Sequence, residues 1–193
     1  MSSQVAGAVV VDSWAAKSTV RNAVLVVGLT AFTALSAQVS IPLPFTPVPL
    51  TLQTFAVLAG AAALGAERAV LAQVLYLVLA VAGAPVLAGG ASGGATVVGA
   101  TGGYLLGFVV ASYVVGKIAE RGATRKISAT VLAYVAGSAV IYTLGALWLA
   151  YSTSNSISWA IANGVVPFLV GDAIKAVAAG AVLPAAWKLV DGK

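Results

Sequence analysis

The sequence predicts an all-α integral membrane protein with six transmembrane helices and both termini in the cytoplasm, on three observations. The first is composition: of 193 residues, 61% are hydrophobic and only 8% are charged, against about 25% charged in a soluble domain. A globule with so few ionisable groups could not cover its own surface, so its solvent is lipid. The second is spacing, because no charge occurs between Arg21 and Glu67, between Arg68 and Lys117, or between Lys126 and Asp172. Each silent tract, roughly 45 residues long, is too long for one span of about 20 residues and suits two spans with a loop between them. The third is asymmetry. Lys17, Arg21, Arg68, Lys117, Arg121, Arg125, Lys126, Lys188 and Lys193 fall on the side holding both termini, and the three mid-tract loops carry no basic residue. The positive-inside rule makes that side cytoplasmic.

The elements follow in order within a single membrane domain, 1–193. Residues 1–21 read as a cytoplasmic tail, since the apolar run Val5 to Val11 is short, has no basic residue before it and precedes Asp12, unlike a cleaved signal peptide. The first span, 22–41, stops at Pro42, Pro44, Pro47 and Pro49, which cannot continue a helix. Spans 50–66 and 69–83 flank Glu67-Arg68, and Gly83-Ala84-Pro85 ends the second of them. A glycine-rich stretch from Gly89 to Gly103 leads into span 103–119, followed by span 128–150. The polar run Ser152-Thr153-Ser154-Asn155-Ser156 and Asn163-Gly164 precede the last span, 165–187. Trp14, Tyr151, Trp159 and Trp187 sit near span boundaries, where aromatic side chains anchor at the interface.

Composition also narrows the chemistry. With no cysteine and no histidine, disulfides, thiol nucleophiles, haem ligation and histidine acid–base schemes are excluded. Gly90-Ala91-Ser92-Gly93-Gly94 matches a nucleophile pattern, but that pattern needs a general base, and its glycine richness explains it better. The only Lys-Ser pair, Lys17-Ser18, follows Ala16, so no phosphate-binding loop is recognisable. The net charge of +5 comes from small scattered basic groups rather than one basic face, which argues against a nucleic-acid partner. No catalytic residue, metal site or cofactor is expected.

Asp172 and Lys175 break the charge pattern inside the last span. At i, i+3 they share one helix face, and with the helix starting near Pro167 the carboxylate lies roughly 8 Å below its outer end. Ionisable groups at that depth are costly and point to function; the bland alternative is an ion pair that fixes helix rotation. The pair offers an acceptor and a donor together, and the outward helix N-terminus adds positive potential.

Five motifs occur in order from about Asn22 to the C-terminus: Gln38-Val39-Ser40-Ile41-Pro42, Pro47-Val48-Pro49-Leu50-Thr51-Leu52-Gln53-Thr54-Phe55, Gly83-Ala84-Pro85-Val86 with Ala88-Gly89-Gly90, Thr101-Gly102-Gly103-Tyr104-Leu105-Leu106-Gly107-Phe108, and Gly171-Asp172 with Lys175. Together they closely resemble the BioY family, the biotin-binding S components of energy-coupling factor (ECF) vitamin transporters. The resemblance implies high-affinity capture of extracellular biotin by a multi-pass subunit in the cell (plasma) membrane of a prokaryote. It also implies a transmembrane coupling protein and two ATPase subunits as partners, so that ATP is used only by them and biotin is the transported ligand.

Carried over residue by residue, the resemblance implies that Asp172 and Lys175 contact biotin, with Thr101, Gly102, Gly103, Tyr104, Gln53, Gly89 and Gly90 around the ligand. Gly28, Ala31 and Ala34 form a small-residue face on the first span that resembles a docking surface for the coupling protein. Two departures stand out: Ala100 replaces the usual proline before Thr101, and no basic residue lies in the glycine-rich loop. Backbone N–H groups, hydroxyls or Lys175 would then receive the biotin carboxylate. The alternative from a different class is a proton-coupled secondary transporter of a small anionic solute, with Asp172 as the relay.

Overall fold

The computed structural model describes residues 9–13 and 18–191. Most of the expected tail, including Trp14 and Lys17, lies outside the described residues, as does Lys193 at the other end. The chain forms α1 (Thr19–Gln38), a two-stranded ladder of β1 (Ser40–Ile41) and β2 (Leu50–Thr51), α2 (Gln53–Leu64), α3 (Ala66–Val81), α4 (Gly94–Val97), α5 (Gly102–Glu120), α6 (Ile127–Thr153), α7 (Ile157–Gly164) and α8 (Leu169–Asp191). Single 3₁₀ turns add Val10–Ser13, Ala88–Gly90, Ala123–Arg125 and Val166–Phe168.

Local chemistry explains the boundaries. Ser18 starts α1, its Oγ accepting from the Arg21 N–H at 3.1 Å. The helix ends at Gln38, three residues before the expected Ile41, because the chain turns into an antiparallel ladder pairing Ser40 with Thr51 and Ile41 with Leu50. The prolines occupy the loop between these strands, where no helical N–H is needed. That ladder also moves the second helix, expected from residue 50, to Gln53. Gly65, at φ 85°, is the whole connection between α2 and α3, a backbone conformation that costs glycine little. Helix α3 therefore takes in Glu67 and Arg68, which the sequence placed between spans. Its first N–H, on Ala66, donates to Glu120 Oε1 of α5 at 2.9 Å.

Among the described residues, four stretches are long and apolar enough to cross a membrane: Thr19–Gln38, Gly102–Glu120, Ile127–Thr153 and Ile157–Leu189. Helices α2 and α3, with 12 and 16 residues, reach only about 18 and 24 Å at 1.5 Å per residue, short of a hydrocarbon core of about 30 Å. At the glycines the helices pack closely. A Cβ on Gly107 of α5 would lie 2.9 Å from Ile141 Cα of α6, and one on Gly116 would lie within 2.4 Å of the Ala66 backbone. Small residues permit this approach where lipid supplies no hydrophobic drive between helices.

Arg21, Arg68, Lys117, Arg121, Arg125, Lys126 and Lys188 mark one end of the bundle, where Asp12 accepts from Arg21 at 2.8 Å and from Arg68 at 2.7 Å. Trp187 at that end corrects the expectation of an interfacial anchor. It is 2% exposed, donates from Nε1 to Thr124 Oγ1 at 3.0 Å, and lies under the Arg125 guanidinium at 3.8 Å. A residue so placed packs the core.

Candidate ligand-binding site

At the opposite end, the starts of α2, α5 and α8 converge under the β-ladder and the glycine-rich connection. A cavity of about 260 Å³ lies there, slightly below the roughly 300–1,000 Å³ of small-molecule clefts. Leu105, Phe108, Ile141 and Phe168 supply apolar wall, and Thr51, Gln53, Thr54, Tyr142, Asp172 and Lys175 gather the polar groups.

Asp172 and Lys175 come from the first two turns of α8 and are 6% and 9% exposed. They form an ion pair, Nζ to Oδ1, at 2.7 Å. Lys175 also donates to the Thr51 carbonyl and to Thr54 Oγ1, each at 2.8 Å. Those three bonds use all three of its N–H groups. Thr54 in turn donates to Asp172 Oδ1 at 2.9 Å, and Tyr142 of α6 donates to Oδ2 at 2.7 Å. With two lone pairs on each carboxylate oxygen, Oδ1 is saturated and Oδ2 keeps one acceptor position. The site is thus prepared to receive an N–H or O–H donor.

The remaining polar groups hold the walls. Gln53 donates from Nε2 to Tyr76 Oη at 2.8 Å, and Tyr76 passes its own proton to the Val86 carbonyl at 2.9 Å. Gln38 donates to the Leu87 carbonyl at 3.2 Å. Tyr104 lines the cavity and donates to the Gly164 carbonyl at 2.8 Å.

Of the residues singled out in the sequence, Asp172, Lys175, Tyr104, Thr101 and Gln53 meet on the cavity wall. Gly102 and Gly103 stand outside the lining. A Cβ on Gly102 would lie 2.9 Å from Trp148 Nε1, and one on Gly103 would lie 2.3 Å from the Leu144 carbonyl, so both serve the α5–α6 contact. Gly89 and Gly90 also lie outside it, at φ 66° and 75°, while their neighbours Leu87, Ala88 and Ala91 face the cavity. On α1, Gly28 and Ala31 are exposed, whereas Ala34 packs partly against the core. Thr54 and Tyr142 were missed. Thr54 directly follows Gln53 in a quoted motif, but Tyr142 sits in a long uncharged helix that gives a phenol no signal.

Fold and site together define an all-helical membrane protein with a small, polar-headed ligand cavity at one end of the bundle. The BioY family model matches residues 8–192, and the chain belongs to that family. It is 41% identical over 154 residues to the biotin transporter BioY of Thermotoga maritima, covering 79% of this chain and 88% of that protein. The biotin transporter BioY of Rhodobacter capsulatus is 38% identical over 161 residues, covering 77% and 83%. Among solved structures, the chain resembles the S-component for biotin from an ECF-type ABC transporter with a TM-score of 0.81, at 24% identity, covering 90% of this chain and 95% of that one. That likeness shows the fold.

Proposed function

We propose that this chain captures biotin in the cavity at the head of α8 and serves as the substrate-binding S component of an ATP-driven ECF uptake system. The observation that carries the reading is the buried Asp172–Lys175 pair, with an acceptor position left on Asp172 Oδ2, in a chain of the BioY family. Biotin carries a urea with two N–H donors and one carbonyl, an apolar fused ring and an anionic tail. A urea N–H meets Asp172, and the ring lies against Leu105, Phe108, Ile141 and Phe168. The tail runs toward Thr101, where its hydroxyl and nearby backbone N–H groups stand in for a basic residue.

Orientation supports extracellular capture: the cavity lies at the end away from the basic residues, and the positive-inside rule puts those in the cytoplasm with both termini. The reading gives six crossings in the cell membrane of a prokaryote, with α2 and α3 the short ones. An impermeant thiol reagent on intact cells should label Ser92→Cys and Asn155→Cys but spare Lys126→Cys, and strong labelling at 126 would overturn this orientation.

The partners are a transmembrane coupling protein and two ATPases, which supply the nucleotide chemistry for which this sequence has no loop. Gly28 and Ala31 on the open face of α1 form the docking surface. In detergent, biotin should raise the unfolding midpoint of the lone chain saturably, because a ligand of the folded form stabilises it. In liposomes with the partners, Ala31→Trp should keep biotin affinity and lose ATP-driven uptake. No thermal shift at saturating biotin would refute the ligand; proton-driven uptake by the lone chain, abolished by an uncoupler, would establish secondary transport instead.

A further inference from the structure

Tyr76 of α3 lies outside the cavity lining and is fully buried, at 0% exposure, yet it touches a residue on the cavity wall. Its Oη stands 2.8 Å from Gln53 Nε2 and 2.9 Å from the Val86 carbonyl oxygen. A carbonyl only accepts, so the phenol proton belongs to Val86 and the phenol oxygen is left to accept. It can therefore face the amide nitrogen of Gln53 and not the amide oxygen. On the other side Thr51 donates from Oγ1 to Gln53 Oε1 at 3.1 Å. That bond agrees with the orientation but does not force it, since a hydroxyl could as well accept from a nitrogen. Turning the amide over would set two oxygens against each other, or pull the Tyr76 proton away and leave the Val86 carbonyl unpaired.

The orientation matters because donors are scarce at the polar head of the cavity. The three Lys175 N–H groups go to Thr51, Thr54 and Asp172. The hydroxyls of Thr54 and Tyr142 go to Asp172, and that of Thr51 goes to Gln53. Among these described side chains one donor hydrogen is left, the second on Gln53 Nε2, because Tyr76 takes only the first. We infer that Tyr76 is a positioning residue of the ligand site: by fixing the Gln53 amide it makes position 53 a donor toward the ligand, matched to a carbonyl. Lys175 then holds the frame of the site instead of meeting that carbonyl itself. This role rests on the biotin reading above and deepens it, with the urea carbonyl received at Gln53 while a urea N–H meets Asp172.

Calorimetric titration of the detergent-purified chain with biotin and with 2-iminobiotin tests the role, since the protonated guanidinium of 2-iminobiotin offers N–H where biotin has its carbonyl. Tyr76→Phe frees the Gln53 amide to turn its oxygen toward the ligand. Biotin affinity should fall about three- to tenfold while 2-iminobiotin affinity holds or rises, so that the preference for biotin narrows by about tenfold. With Gln53→Met already in place, Tyr76→Phe should leave affinity and preference unchanged, because the amide it orients is gone. An equal loss for both ligands, or a further shift in the Gln53→Met background, would make Tyr76 a packing residue and overturn the role. Gln53→Glu, with Tyr76 intact, decides the matter if Tyr76→Phe does not fold: it carries at most one hydrogen for the two that Nε2 supplies. It should lower biotin affinity at least as far as stated for Tyr76→Phe, whereas wild-type affinity would mean that the amide oxygen faces the ligand and would overturn the orientation. A wild-type chain that binds no biotin in the same titration sinks the ligand reading itself, an outcome distinct from an unchanged preference in Tyr76→Phe.

Discussion

Asp172→Asn and Lys175→Met are each expected to lower biotin affinity by about two orders of magnitude and to destabilise the chain by about 3–5 kcal/mol. Both groups are almost fully buried, so removing one strands the other's charge. Lys175→Met also frees the Thr51 carbonyl. The paired change Asp172→Leu with Lys175→Met should recover only part of that stability, because it removes the stranded charge but leaves the Thr51 carbonyl and the Thr54 and Tyr142 hydroxyls without their partners, and it should bind no biotin. Detergent unfolding midpoints and calorimetric titration read both quantities. Near-normal affinity in a folded Asp172→Asn would leave the pair a purely structural feature.

Gly103→Ala is expected to cost about 1–3 kcal/mol and to reduce biotin binding through the displaced start of α5. A Cβ there would lie 2.3 Å from both the Leu144 carbonyl and Trp148 Cβ, and the backbone contact cannot be relieved by a rotamer change. Helix α5 would have to move away from α6, carrying Thr101, Tyr104 and Phe108 with it. Gly28→Ala is the control on the same residue type: nothing lies within 4 Å of its Cβ position, so the change should be neutral or stabilising by about 0.5–1 kcal/mol. Thermal unfolding of the two variants side by side decides the matter, and equal midpoints would refute the close approach of α5 to α6.

These two sites also show which features lipid makes visible in a sequence. An ionisable side chain inside a span is so costly that Asp172 and Lys175 stand out without any structure, and the charge-free tracts reveal the long helices for the same reason. Hydroxyls and amides carry a much smaller cost, so Thr54 and Tyr142 leave no trace although they complete the coordination of Asp172. The joint between α2 and α3 was misplaced because Glu67 and Arg68 read as a loop. In fact Glu120, 54 residues away, caps the helix that contains them, and local sequence carries no record of such a partner. Gly102 and Gly103 were recognised as a motif, but their use depends on Trp148 and Leu144 of another helix. Trp187 deceived in the opposite sense, since its position near a span end suggested lipid contact while Thr124 and Arg125 enclose it.

The side chains around the cavity hold main-chain oxygens as well as shaping the site. Lys175 takes the Thr51 carbonyl, Tyr76 that of Val86, Gln38 that of Leu87, Trp148 that of Gly99 and Tyr104 that of Gly164. Irregular backbone at membrane depth is tolerated only when such groups are satisfied, so each of these residues answers to two constraints at once. An engineer seeking a new ligand preference would therefore find little freedom at the polar end, where every substitution also unfastens a connection. The permissive positions are Leu105, Phe108, Ile141 and Phe168, whose contribution is shape, and selectivity should drift by reshaping the apolar wall around an unchanging hydrogen-bonded frame.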